Sequence, residues 1–313
     1  MPEQIDVADA VPRPSRIALR RRRRRRRDMI GLLYVAPALA LVAVFFAIPL
    51  GMTIWMSLHD WPLMGQKRWV GFANYERMWG DSGFWGALSF TGTYTVAVTI
   101  GLLGLGMILA LMVERPGRAT AFYRTAYFLP VVIGFASASL LWAWLSNVDS
   151  GLFSPLMQNL GLTERRVNIN ADYGLAFWSV NVMVVWKMVG FFMVILMSGL
   201  QSIPRDYLEA ARIDGAGALQ RFRFITMPLV RRPFALALIL CVSGSMLAFD
   251  QFYIILNGGP QNSTITAVYW IFNESFVSFR LGYGAALSVV LLGILLVLSA
   301  IQLRLLRDRE DGS

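Results

Sequence analysis

Six stretches of nearly unbroken apolar residues, each about as long as a helix that crosses a hydrocarbon core, constrain this chain more than any other feature. They run Met29–Leu58, Phe90–Val113, Ala126–Leu145, Leu175–Leu200, Pro233–Leu256 and Gly282–Leu303. Backbone in lipid must satisfy its own polar groups, so each stretch is predicted to be a helix. In 313 residues these blocks leave room for one membrane domain, not for the two soluble domains that length alone suggests. The expected fold class is all-α integral membrane, with six transmembrane helices. The first block far exceeds the roughly 7–15 apolar residues of a signal-peptide h-region and reads as an uncleaved span.

The net charge is +10, and its position decides its meaning. Eight consecutive arginines, Arg20–Arg27, directly precede the first apolar block. Beside a span, such a run anchors the inner end against anionic headgroups. A nucleic-acid arm is the other reading of a basic run, and six spans make it a poor neighbour. Twenty-two arginines fall in the segments on the same side as this tail, against six Lys and Arg on the other. That bias predicts both termini in the cytoplasm of a multi-pass membrane protein. Nine of the ten tryptophans fall at predicted outer ends or in outer loops, as an interfacial belt would have them; Trp186 alone lies mid-span.

The resulting map is a basic tail (1–28), a first span (29–58), an outer loop (59–89), a core (90–305) with an inner loop at 201–232, and an inner C-terminus (306–313). Gly92, Gly101, Gly104 and Gly106 in the second block would let helices approach closely. Catalytic chemistry finds little support. Cys241 and His59 are each the only residue of their type, so neither a disulfide within the chain nor a Cys/His dyad is available. Neither lysine, Lys67 or Lys187, lies in a phosphate-binding GxxxxGK[ST] loop. No metal site, no cofactor held by this chain and no ATPase activity of its own are expected.

The inner loop carries the most information. Ser202 and Pro204 are helix-start signals, and Asp206 and Glu209 place negative charge in the first turns. Tyr207, Ala210, Ala211 and Asp214 recur at helical spacing, a shallow face that a partner could approach. Gly215 suits a sharp stop, and a second short helix from Ala216 to about Phe224 presents Phe222. Pro228 and Pro233 bound the approach to the fifth span. By physics alone this is an elbow on the inner membrane face, or an ordinary interfacial loop.

Glu209, Ala210, Ala211, Asp214, Gly215, Ala216, Ile225 and Pro228 reproduce the pattern E-A-A-x(2)-D-G-A-x(8)-I-x(2)-P. This resembles the EAA loop of bacterial ABC importer permeases, which docks into a groove on an ATPase subunit. The run FDQFYIILNGGPQNST from Phe249 and the run VGFANYERMWGDSGFW from Val70 resemble segments of the maltose-transporter-type sugar permeases, as does Trp186-Lys187 before Gly190. The resemblance implies a type I importer fold. It also implies a second homologous permease subunit, two ATPase subunits that hold ATP and Mg, and an extracytoplasmic substrate-binding protein. The substrate would be a sugar or oligosaccharide, acidic and phosphorylated sugars included, and no nucleic-acid partner is implied. The coupling residues would be Tyr207, Glu209, Ala210, Ala211, Asp214, Gly215, Ala216 and Phe222. The stretch Gly244–Ala248 departs from the maltose permease, keeping only Ser245 as a hydroxyl.

Ionisable residues within spans are functional candidates. Lys187, with Met188 and Phe191 on span four, and Ser245, Phe249 and Asp250 on span five are the candidate substrate path. Lys187 either pairs with Asp250, snorkels, or touches substrate. An ion-coupled secondary transporter is the alternative function, but it would need coupling carboxylates or broken helices at midplane.

Overall fold

The computed structural model describes residues 34–161, 163 and 165–307, with side chains as far as 304. The tail with Arg20–Arg27 and the last residues, 308–313, lie outside the described residues. Two compact units are distinguished, Met1–Trp55 and Met56–Ser313.

In the first unit lies most of α1, Tyr34–Ser57, a helix long and apolar enough to cross a membrane. It contains a π-helical turn at Ala43–Ala47, just before Pro49. Proline has no N–H to give the carbonyl four residues back, so the ladder is disturbed there.

The second unit opens with a short antiparallel pair, β1 (His59–Asp60) and β2 (Arg68–Trp69), with His59 opposite Trp69. Helix α2 (Ala73–Trp79) follows, and then α3 (Ser82–Val113). The sequence reading began this span at Phe90. The helix begins eight residues earlier because Asp81 caps it, its carboxylate accepting from the N–H groups of Gly83 (2.9 Å) and Phe84 (3.1 Å). The outer loop is correspondingly shorter than 59–89.

The third block is not one rod. Helices α4 (Arg118–Val132) and α5 (Phe135–Leu145) meet at 93°. Pro130 sits inside the end of α4, Ile133 is extended, and Gly134 follows, so the ladder stops and restarts in a new direction. After α6 (Phe153–Asn159) comes α7 (Tyr173–Gln201), capped by Asp172 through the Leu175 N–H at 2.8 Å.

The inner elbow is α8 (Arg205–Ile213) and α9 (Ala218–Leu229). The latter bends by 74° into α10 (Arg231–Met246). The fifth span was read as reaching Leu256. The helix stops at Met246, and a separate π-helical turn covers Phe252–Leu256. Helices α11 (Ala267–Phe272) and α12 (Leu281–Arg307) complete the unit. Among the described residues, α1, α3, α7 and α12 are continuous helices of spanning length. The α4–α5 and α9–α10 pairs supply the other two apolar segments as broken ones.

The core of the second unit forms where α3 and α7 run side by side. Phe90 meets Phe177 at 6.1 Å, and toward the other ends Gly106 lies against Phe192 and Leu196, so the two helices run parallel. Tyr94, Val98, Val180, Met183, Met193 and Leu196 are fully buried between the elements. Of the four glycines singled out in the second span, Gly101 and Gly106 face α7, whereas Gly92 and Gly104 face open space.

Candidate coupling elbow and substrate path

The elbow is built as its sequence signals suggest, apart from the burial of Ala211 and two further changes. Helix α8 has Asp206 in its first turn and Arg212 in its last, each favourable to the helix dipole. It ends where the N–H groups of Asp214, Gly215 and Ala216 bond back to Ala210 (2.9 Å), Arg212 (3.1 Å) and Ala211 (2.9 Å). Gly215 has φ +81, with open space where a Cβ would stand. Its requirement is backbone conformation, not room. Helix α9 starts with the Gly217 N–H bonded to the Gln220 side chain at 2.8 Å, and Arg221 donates back to the Ala216 carbonyl. That bond ties the second helix to the turn.

Tyr207, Glu209, Ala210, Asp214 and Gly215 are exposed, Ala216 is half-buried and Ala211 is buried. The exposed face is therefore Tyr207–Ala210–Asp214; Ala211, expected on the same partner-facing side, lies at its edge and is buried. The first change concerns Ser202, which does not cap α8. Its hydroxyl donates to the Gly199 carbonyl at 2.7 Å and closes α7. The second concerns Phe222, read as presented to a partner. It is turned inward: half-buried at the start of a π-helical turn (Phe222–Thr226), it packs against the core on the α3 side. With Met227, Leu103, Met107, Phe234 and Leu238 it lines an apolar cavity of about 630 Å³.

Arg124, read only as a topogenic charge, has a specific place. Its guanidinium donates to the carbonyls of Val113 and Glu114, the latter at 3.0 Å, and Gln201 donates to Glu114 at 3.0 Å as well. These bonds satisfy the orphan carbonyls at the end of α3 and tie it to the end of α7. The sequence signal was a basic residue in the short inner segment after a span ending at Val113.

The substrate-path candidates divide. The Lys187 side chain is 2% exposed. Its ammonium donates to the carbonyls of Ile133 at 2.6 Å and Val131 at 3.4 Å, and lies 4.4 Å from the centre of the Phe135 ring. Among the described residues no ion pair joins it to Asp250, so that pairing is corrected. The broken third span offers carbonyl oxygens at the depth of the ammonium, which a continuous helix could not. Ser245 is buried and donates to the Cys241 carbonyl of its own helix at 2.7 Å, so its hydroxyl is not presented. Met188 and Phe191 are half-buried against the core. Asp250 is half-buried beside Gln251, whose amide donates to the Tyr94 hydroxyl at 3.2 Å.

Phe249 belongs to an aromatic wall that the sequence reading did not assemble. Its ring stacks on Tyr253 at 5.1 Å and meets Tyr269 at 5.8 Å and Phe272 at 5.2 Å. Tyr253 is exposed, and the Tyr269 hydroxyl donates to Asn257 at 3.2 Å. The available signal was aromatic residues at helical spacing in two neighbouring segments, 249/253 and 269/272.

On the outer side, Asp81 is a second joint. Besides capping α3, it accepts from the Tyr283 hydroxyl at 2.6 Å and the Trp270 indole at 3.2 Å, tying α3 to α11 and α12. Burial alone would raise its pKa, but the hydrogen bonds from Tyr283, Phe84, Trp270 and Gly83 outweigh it and hold the carboxyl below its ordinary 3.8.

Residues 102–310 match the family described as the inner membrane component of binding-protein-dependent transport systems. The chain is 34% identical over 281 residues to the sn-glycerol-3-phosphate transport system permease protein UgpA of Escherichia coli, covering 88% of this chain and 94% of that one. It is 31% identical to AmyD of Thermoanaerobacterium thermosulfurigenes, named as a probable permease for starch degradation products, over 89% of this chain and 94% of that one. SmoG, the sulfoquinovosyl glycerol permease of Agrobacterium fabrum, is 30% identical over 90% and 92% of the two chains. In three dimensions the fold resembles a chain of a bacterial ABC transporter that imports the acidic polysaccharide alginate. The TM-score is 0.77 at 19% identity, over 92% of this chain and 99% of that one.

Proposed function

The chain belongs to the family of binding-protein-dependent transport system inner membrane components, and from that premise we propose that it is the membrane-spanning permease subunit of an ATP-driven importer for a sugar or oligosaccharide. The observation that carries this reading is the elbow. An exposed face of Tyr207, Ala210 and Asp214, with Glu209 exposed on the other side of α8, sits on a helix pair that turns at Gly215 and is continuous, through one bend, with α10. A push on that face reaches a membrane-spanning segment through backbone and not through loose loop.

Two ATPase subunits hold ATP and Mg and press on this face as they close. A second homologous permease completes the path, and an extracytoplasmic binding protein delivers the sugar. Both termini lie in the cytoplasm, and lipids surround the spans. The aromatic wall of Phe249, Tyr253, Tyr269 and Phe272 lines the path together with Asp250, Met188 and Phe191. Flat rings with hydroxyl handles suit a ligand that is apolar on its faces and polar at its rim. The named substrates of the relatives, glycerol 3-phosphate, starch products and sulfoquinovosyl glycerol, support a polyol or sugar.

The test is uptake into proteoliposomes holding this chain with its sister permease and ATPase subunits, the binding protein outside and ATP inside. Sugar accumulation that needs ATP and binding protein together is expected. Uptake driven by an ion gradient without ATP would overturn the reading.

A further inference from the structure

The break in the third span exposes a problem that one residue solves. A helix that stops leaves its last carbonyls without intrahelical donors. At membrane depth no bulk water replaces them. At the 93° break between α4 and α5, the Lys187 ammonium supplies those donors, to Ile133 at 2.6 Å and Val131 at 3.4 Å. An ammonium carries three N–H groups, and its remaining side faces the Phe135 ring at 4.4 Å. A positive charge also complements the C-terminal end of the α4 dipole.

The same face of α7 seats both halves of the broken span. One turn along from Lys187, Gly190 lies under the α4 backbone, where a Cβ would stand 2.1 Å from the Tyr127 carbonyl oxygen. On the other side Trp186 meets Trp142 of α5 at 6.0 Å, and the Trp142 indole donates to Ser179 at 3.0 Å. Helix α5 then packs against the turn Phe252–Leu256, which carries Tyr253 of the aromatic wall.

We infer that Lys187 is a positioning residue: its ammonium, bound to the Val131 and Ile133 carbonyls, holds the third span broken and thereby sets α5 against the turn that presents the aromatic wall. It acts through backbone and does not touch substrate. The link to transport rests on the importer reading above; the geometry of the break does not.

The experiment places spin labels at Thr120 and Trp144 in the assembled transporter and reads their separation by pulsed EPR. At 1.5 Å per residue the bent span puts these positions about 26 Å apart, and a straight helix about 36 Å. Wild type and Lys187→Arg, which keeps the charge and donors, are expected to give the short separation. Their KM values for ATP-driven sugar uptake should agree within twofold. Lys187→Met is expected to lengthen or scatter the separation and raise KM at least fivefold, with maximal ATP turnover within twofold of wild type. A wild-type separation in Lys187→Met overturns the inference whatever its KM. A changed separation with unchanged KM overturns the link to the aromatic wall. Should Lys187→Met fail to accumulate, Lys187→Arg decides, and a scattered separation there overturns the proposal. If wild type moves no sugar, the importer reading fails while the separations still judge the pin.

Discussion

Gly190 lies so close beneath Tyr127 that a Cβ built on it would stand 2.1 Å from the Tyr127 carbonyl oxygen and 2.8 Å from the Phe128 Cα. The neighbours here are backbone atoms of α4, which cannot rotate away. Gly190→Ala is therefore expected to push the fourth and third spans apart and destabilise the subunit by about 1–3 kcal/mol, the usual range for overpacking a filled core. Thermal denaturation of the detergent-solubilised complex checks this. A melting temperature equal to wild type would show that the two helices are not in this register.

Gly215→Val should act differently. Nothing crowds that position, but φ +81 is a conformation that β-branched residues avoid. The expected outcome is normal insertion with uptake reduced at least tenfold, and ATP hydrolysis no longer stimulated by loaded binding protein. Glu209→Lys, on the exposed face of α8, should give the same uncoupling without backbone strain. Stimulated hydrolysis and uptake at wild-type rates in both variants would remove the elbow from the coupling route.

Asp81 predicts a pH dependence whose sign follows from its lowered pKa. A carboxylate stabilised in the fold contributes fully above its unfolded value, near 3.8, and the contribution is lost as pH falls through the lower folded value. The difference in melting temperature between wild type and Asp81→Asn should be constant from about pH 5 to 8 and shrink below about pH 4. A difference that grew on acidification would contradict the hydrogen-bonding pattern around Tyr283 and Trp270.

The orientation is checked by cysteine labelling at exposed positions. Ser263, in the loop after the Phe252–Leu256 turn, should react with an impermeant maleimide in intact cells. Gly217, in the elbow, should react only after permeabilisation. Reaction at Gly217 from outside would invert the topology.

Phe249→Ala and Tyr253→Ala should each raise the KM for sugar severalfold with little effect on abundance, since Tyr253 is exposed and Phe249 half-buried. Ser245→Ala should leave KM unchanged, because its hydroxyl is engaged by the Cys241 carbonyl at 2.7 Å. The reverse ranking would return Ser245 to the substrate path.

Sequence by itself determined the features that depend on local chemistry. Apolar runs of spanning length leave a helix as the one way to satisfy backbone in lipid. Asp206, Arg212 and Gly215 specify where a short helix starts and stops, and the elbow turns at Gly215 for that reason. The tertiary structure decided what depends on which chain segments meet. The third block reads as one span in sequence, and only the packing of α4 and α5 on α7 shows the 93° break at Pro130 and Gly134 with Lys187 bonded into it. Phe222 lay in the right loop, but the fold packs it against the core and not toward a partner. The aromatic wall joins residues from two segments whose meeting no periodicity encodes. Helix propensity and capping act over one turn of chain, whereas the partner of a buried charge is chosen by whichever unsatisfied carbonyls the fold brings within hydrogen-bonding distance.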